Sequence, residues 1–130
     1  RVTGSDRNVY PPMSDFLARA GIEVMEGYCP ENLEPRPDLV IVGNVIQAVF
    51  PEAERLAELQ IPYLSMPQAL GIFFLSNHSS LVVAGTHGKT TTSSMLATAL
   101  YRAGRSPGFL IGGIVEAFGR NYRLGDGEEF

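Results

Sequence analysis

Between an apolar run, Leu81-Val82-Val83-Ala84, and a helix-forming run over residues 93–103 stand eight residues, Gly85-Thr86-His87-Gly88-Lys89-Thr90-Thr91-Thr92. The predicted order is strand, glycine loop, Lys-Thr, helix. That order belongs to α/β folds, where a loop leaves a strand and ends on a helix N-terminus. Glycines let the backbone turn its N–H groups inward. The helix adds its own unbonded N–H groups and the positive end of its dipole to the same concavity. An anion fits there. Lys89 can reach terminal phosphates as a point charge, and the Thr90 hydroxyl suits Mg²⁺. The general pattern G-x-x-x-x-G-K-[ST] is met at Gly88-Lys89-Thr90, but its first glycine would fall at Val83. The loop is therefore a shorter variant with Gly85 as its other glycine. The alternative is an ordinary glycine turn with Lys89 in solvent; the strand-to-helix junction favours the phosphate loop. Phosphate contacts are expected from Gly85, Thr86, His87, Gly88, Lys89, Thr90 and Thr91. Lys89 would be the catalytic charge, Thr90 the Mg²⁺ ligand, and ATP the nucleotide.

Composition excludes several other classes. The 130 residues carry a net charge of −4 with no basic stripe, so nucleic acid is not an expected partner. No apolar run approaches the length of a membrane span, and no signal peptide is visible, so no membrane insertion is expected. Cys29 is the only cysteine, which excludes an internal disulfide and suits a reducing cytoplasm. Its plainest reading is a small, semi-buried residue. Residue 1 is Arg, and Glu128-Glu129-Phe130 stops where a further strand would begin. The chain is therefore expected to be a piece of something longer.

Along the chain, Val2-Thr3 reads as a strand end and Gly4-Ser5-Asp6 as a turn. Met13, Phe16, Leu17 and Ala20 share one helical face, with Pro12 at the start and Gly21 as C-terminal cap. Residues 22–25 form a short strand. Leu39-Val40-Ile41-Val42 reads as a strand buried on both faces. A helix follows over 51–59, with Glu52, Glu54 and Glu58 on a solvated face. Residues 61–64 form another strand, and Ser65-x-x-Gln68 is a capping box opening a helix to about residue 75. The polar stretch 76–80 marks a domain boundary. Beyond the phosphate loop, Met95, Leu96, Ala99, Leu100 and Ala103 line one helical face and Gly104 ends it. Phe109-Leu110-Ile111 is the next strand, and Gly125-Asp126-Gly127 resembles a hairpin turn. Strands alternating with helices give an α/β fold with parallel strands.

The first half carries weaker chemical signals. Asp6, after a strand, stands where dinucleotide-type folds place an acid against a ribose hydroxyl; a turn residue capping the next segment is an equal reading. Asn44, at the C-terminal end of the 39–42 strand, stands where open α/β sheets bind ligands, or is a plain turn residue. Tyr10-Pro11-Pro12-Met13 lines a pocket or simply leads into the helix. His87 contacts substrate or fills a loop position, and His78 reads as a linker residue.

The stretch Val83-Ala84-Gly85-Thr86-His87-Gly88-Lys89-Thr90-Thr91-Thr92 resembles the ATP loop of the Mur ligases, the ATP-dependent amide-forming enzymes of peptidoglycan synthesis. Histidine at 87 narrows the likeness to two branches. One adds L-alanine to UDP-N-acetylmuramate. The other adds the tripeptide L-alanyl-γ-D-glutamyl-meso-diaminopimelate to it in peptidoglycan recycling. Three stretches favour the tripeptide branch: residues 2–14 with Tyr10-Pro11-Pro12-Met13-Ser14, residues 61–68, and residues 107–113. The resemblance implies that residues 1–76 are part of a Rossmann-like UDP-sugar-binding domain, with Asp6 and Asn44 on the sugar-nucleotide side. Residues 77–130 would begin the central P-loop ATPase domain, with the loop at 85–91. It implies ATP and Mg²⁺ as cofactors, UDP-N-acetylmuramate and the murein tripeptide as substrates, and a bacterial cytoplasmic setting. It also implies that the family's first glycine-rich loop, its acidic Mg²⁺-binding segment and its C-terminal domain lie outside this chain, which alone would not ligate. One position departs from the pattern: the family's Asn-Pro before the 51–59 helix is Phe50-Pro51 here, which removes a capping side chain worth about 1 kcal/mol.

Overall fold

A computed structural model describes residues 1–126 and divides the chain into two compact units, Arg1–Ala69 and the residues from Leu70 onward. The division falls at the end of a short helix, ahead of the polar stretch 76–80.

The first unit is built from strand–helix–strand repeats. Strand β1 (Thr3–Asp6) pairs in parallel with β2 (Glu23–Glu26), Asp6 opposite Glu26. Gly4, Ser5 and Asp6 thus belong to the strand rather than to a turn, and the chain turns after Asp6. Helix α1 (Met13–Arg19) joins the two strands and ends as expected at Gly21, whose φ of +68° suits the residue without a Cβ. A second parallel pair is β3 (Val40–Val42) with β4 (Tyr63–Ser65), joined through α2 (Pro51–Glu58). A one-turn 3₁₀ helix, Pro30–Leu33, packs on α2. Parallel partners joined through helices are the signature of an α/β fold.

The core of this unit is Leu33, Leu56 and Ile61, with Val40, Val42 and Leu59 against it. Full burial of a side chain of this size stabilises by about 1.5–3 kcal/mol. The strand at 40–42 covers one face only: Val40 and Val42 turn to this cluster while Ile41 stays 41 % exposed. Ser65 and Gln68 form the expected capping box. The Ser65 N–H donates to Gln68 Oε1 at 2.9 Å, and the Gln68 N–H donates to Ser65 Oγ at 3.4 Å. They open α3 (Met66–Leu70), which widens into a π-helical turn over Gly71–Leu75.

The second unit centres on α4 (Lys89–Arg102) packed on a hairpin of β5 (Phe109–Val115) and β6 (Arg120–Arg123). Ala97, Ile111 and Val115 are buried together, with Phe109 and Phe118 beside them. The inward stripe of α4 therefore runs through Ala97, and Met95, expected inside, is 68 % exposed. β5 continues through Gly112-Gly113, beyond its expected end. The hairpin turns at residues 116–119, where the Phe118 and Gly119 N–H groups both donate to Val115 O at 2.9 Å. The turn expected at 125–127 reaches Gly127, outside the described residues. The paired strands of this unit are antiparallel, and 81–84 forms no ladder among the described residues. A β-branched run becomes a strand only through hydrogen bonds to a neighbour. Here Leu81 and Val82 stay 60 % and 82 % exposed.

Candidate functional site: a glycine loop and a cavity

Gly88 has φ +77° and ψ 0°, a left-handed conformation that favours glycine, and it is the residue from which α4 starts. The Thr92 N–H donates to Gly88 O at 2.9 Å, closing the first helical turn. The N–H groups of Lys89, Thr90 and Thr91 consequently point out of the helix end, with no capping side chain among the described residues. Residues 85–91 are all exposed. The loop is accessible and lined with donors at a positive dipole end, which suits an oxyanion.

Lys89 folds back across the loop. Its Nζ donates to Gly85 O at 2.6 Å and to Thr86 O at 3.2 Å. The ammonium therefore sits over the loop, held by neutral carbonyls that a phosphate oxygen can outcompete. His87 Nδ1 lies 3.2 Å from Thr86 Oγ1, a pairing within the loop. The structure thus gathers Gly85, Thr86, His87, Gly88, Lys89, Thr90 and Thr91 into one short segment at the N-terminus of α4. Among the described residues no three His, Cys, Asp or Glu side chains cluster as a metal site. The Thr90 hydroxyl at the helix start could hold one coordination position of a divalent cation whose other ligands include phosphate oxygens.

In the first unit, a cavity of about 770 Å³ is lined by β1, β3, the 3₁₀ turn and the start of α2. Its size falls in the usual range for small-molecule sites. Asp6 lines it at the C-terminal end of β1, where open parallel sheets bind ligands. Asp6 Oδ1 already accepts from the Arg7 N–H at 2.6 Å and from the Tyr28 hydroxyl at 3.1 Å. Partial burial, then the Asp6 carboxylate, raise the Tyr28 pKa above its ordinary value of 10.0. Asn44 is exposed; its neighbours Gly43 and Val45 line the cavity.

Two cavity residues, Glu52 and Phe50, escaped the sequence reading. Glu52 is half-buried rather than on a solvated face: its Oε1 accepts from Ser5 Oγ at 2.9 Å and its Oε2 from Asn32 Nδ2 at 3.1 Å. One carboxylate thereby ties β1, the 3₁₀ turn and α2 around the cavity. Phe50, at the position of the missing asparagine, makes no cap. It stacks on Tyr28, centroids 5.2 Å apart and planes 10° from parallel, and Arg7 lies 4.9 Å and 5.0 Å from the two ring centres. Cys29, beside Tyr28, is exposed rather than semi-buried.

The fold is α/β with a glycine loop opening a helix, and comparison with known proteins gives the family. A profile described as "Mur ligase family, catalytic domain" matches residues 1–78. The chain belongs to the Mur ligase family. It is 50 % identical over 129 residues to UDP-N-acetylmuramate–L-alanyl-γ-D-glutamyl-meso-2,6-diaminoheptandioate ligase of Escherichia coli, an alignment covering 99 % of this chain and 28 % of that protein. It is 38 % identical over 115 residues to UDP-N-acetylmuramate–L-alanine ligase of Dichelobacter nodosus, covering 88 % of this chain and 24 % of that protein. The crystal structure of the tripeptide-type ligase from Neisseria meningitidis superposes with a TM-score of 0.91 at 48 % identity, over 95 % of this chain and 39 % of that one. The chain thus spans little more than a quarter of the E. coli relative's length. The family profile stops short of the phosphate loop, whereas the E. coli alignment includes it.

Proposed function

We propose that the protein to which this chain belongs is an ATP-dependent ligase that joins L-alanyl-γ-D-glutamyl-meso-diaminopimelate to UDP-N-acetylmuramate in the bacterial cytoplasm. The observation that carries the reading is the glycine loop at the start of α4, with Lys89 Nζ 2.6 Å from Gly85 O, in a chain 50 % identical to the E. coli tripeptide ligase and 38 % identical to the D. nodosus L-alanine ligase. Residues 1–76 serve the sugar nucleotide, through the cavity bordered by Asp6 and the neighbours of Asn44. Residues 77–130 serve ATP.

The chemistry follows from what the loop offers. The lactyl carboxylate of UDP-N-acetylmuramate attacks the γ-phosphorus of ATP, forming an acyl phosphate and releasing ADP. The free amine of the tripeptide then adds to the acyl carbon, and the tetrahedral adduct collapses to amide and phosphate. Phosphoryl transfer needs positioning and neutralisation of oxygen charge more than covalent chemistry. The N–H groups of Lys89, Thr90 and Thr91 position the phosphates, Gly88 shapes the turn, and the Lys89 ammonium neutralises charge at the transferred group. The Thr90 hydroxyl would hold Mg²⁺ in part, and that ion would supply further charge neutralisation on the phosphates. Asp6 is placed to accept from a sugar or ribose hydroxyl.

Phosphate release by the full-length enzyme, with ATP, Mg²⁺ and UDP-N-acetylmuramate, tests the reading when the tripeptide and L-alanine are compared as amines. Release with the tripeptide alone is the expected result. Release with L-alanine alone would move the protein to the other branch, and no release with either would leave a nucleotide-binding role without ligation.

A further inference from the structure

We infer that Gly113 is a positioning residue for the Thr90 hydroxyl, an inference that rests on the reading of Thr90 as the cation-side hydroxyl of the phosphate loop. Gly113 lies within β5, and the helix carrying Thr90 packs on that strand. A Cβ built on Gly113 would stand 3.2 Å from Thr90 Cγ2, whereas one on the adjacent Gly112 would meet nothing within 4 Å. The threonine methyl therefore borders the space that a side chain at 113 would need.

The consequence follows from threonine stereochemistry. Methyl and hydroxyl share one Cβ, so they turn together about χ1, and a helix leaves threonine few χ1 wells. With the methyl seated against Gly113, the hydroxyl must point in another direction, away from the strand. An alanine at 113 would push the methyl by a few tenths of an ångström or turn it into a different well. Either movement swings the hydroxyl. Thr90 is exposed, so its side chain can yield without moving the backbone. The effect of Gly113 is thus exerted on hydroxyl direction rather than on folding.

The same geometry supplies a rescue. The phosphate-loop pattern accepts serine or threonine at this place. Serine keeps the hydroxyl and lacks Cγ2, so alanine at 113 has nothing to push. The test measures ATP binding to the full-length enzyme by calorimetry, in Mg²⁺ and in chelator, for Gly113→Ala, Thr90→Ser, Thr90→Ala and the double variant Gly113→Ala/Thr90→Ser. Gly113→Ala is expected to weaken ATP binding in Mg²⁺ roughly three- to tenfold, the range of an off-rotamer side chain, while binding in chelator stays within about twofold. The double variant is expected to return to within about twofold of Thr90→Ser, the mark of two coupled positions. Thr90→Ala should abolish the Mg²⁺ enhancement. If Thr90→Ala removes the enhancement and Gly113→Ala does not, the inference about Gly113 fails and the reading of Thr90 stands. If Thr90→Ala keeps the full enhancement, the reading of Thr90 fails. A Gly113→Ala defect that serine does not relieve, or insolubility of both Gly113→Ala and the double variant, would place the effect of Gly113 in the backbone and overturn the proposal.

Discussion

Replacing Lys89 with methionine removes one charge and leaves a chain of similar length, and the structure sets how the loss should divide between binding and rate. Nζ is held by two carbonyls, Gly85 O at 2.6 Å and Thr86 O at 3.2 Å. Exposed bonds of this kind are worth about 1 kcal/mol each, so the ammonium gives up about 2 kcal/mol when it turns to a phosphate. That concession offsets most of what the lysine gains from ground-state ATP. Methionine has no such bonds to break. The KM for ATP should therefore change by less than about fivefold in Lys89→Met. In the transition state the lysine faces oxygens that carry more charge, and a preorganised donor there contributes about 3–4 kcal/mol, or 10²- to 10³-fold in rate. The loss should accordingly fall on kcat. The assay is phosphate release by the full-length enzyme at saturating UDP-N-acetylmuramate and tripeptide, with ATP varied. A kcat within about threefold of the parent would refute the role given to Lys89. A loss confined to KM would refute the argument that its carbonyl bonds cancel its ground-state contribution.

Three further outcomes are expected. Glu52→Ala leaves Ser5 and Asn32 without their shared acceptor and should lower stability by about 1–2 kcal/mol, read as faster hydrogen exchange in β1 and α2; Glu52→Gln should recover only part, because an amide offers one acceptor to two donors. Leu56, 7 % exposed in the cluster with Leu33 and Ile61, should cost about 2–4 kcal/mol as alanine, and exchange protection should fall in α2 and β3 first. The Tyr28 pKa is raised in the folded chain, so folding favours the protonated phenol; that contribution is complete below the ordinary value of 10.0 and is lost as pH rises through the folded value. Tyr28→Phe should flatten the alkaline part of a thermal-stability profile, and an unchanged profile would exclude Tyr28 ionisation as a contributor to alkaline unfolding.

What could be read from the chain and what could not divides along sequence separation. The glycine loop is local: Gly88, Lys89 and the first turn of α4 are neighbours in the chain, and the roles proposed for them follow from a pattern eight residues long. The Ser65–Gln68 box and the cap at Gly21 are local for the same reason, and both appear in the structure as read; of the glycine loop, the left-handed Gly88 and the helix start do. The strand at 81–84 fails on this ground, because strand character depends on a partner that local sequence does not name. Met95 fails similarly: which face of α4 is buried was decided by Ile111 and Val115, more than a dozen residues away.

The cavity wall is the clearest case. Glu52, read alone, is one of three glutamates on a helix. Only the approach of Ser5 and Asn32, 47 and 20 residues distant, makes its carboxylate a junction. Phe50 looked like the loss of a cap, a deficit of about 1 kcal/mol. In the fold its ring stacks on Tyr28 beneath Arg7, and aromatic pairs and cation–π contacts each contribute about 0.5–1 kcal/mol at partly exposed sites. The two terms are of similar size and opposite sign. The departure at residue 50 therefore exchanges a local capping bond for long-range contacts, which fasten the start of α2 to the segments after β1 and β2. Asp6 sits between those segments, bonded to the Arg7 N–H and to the Tyr28 hydroxyl. A substitution that reads as a defect in the helix is, in the folded chain, part of what fixes the acid at the cavity mouth.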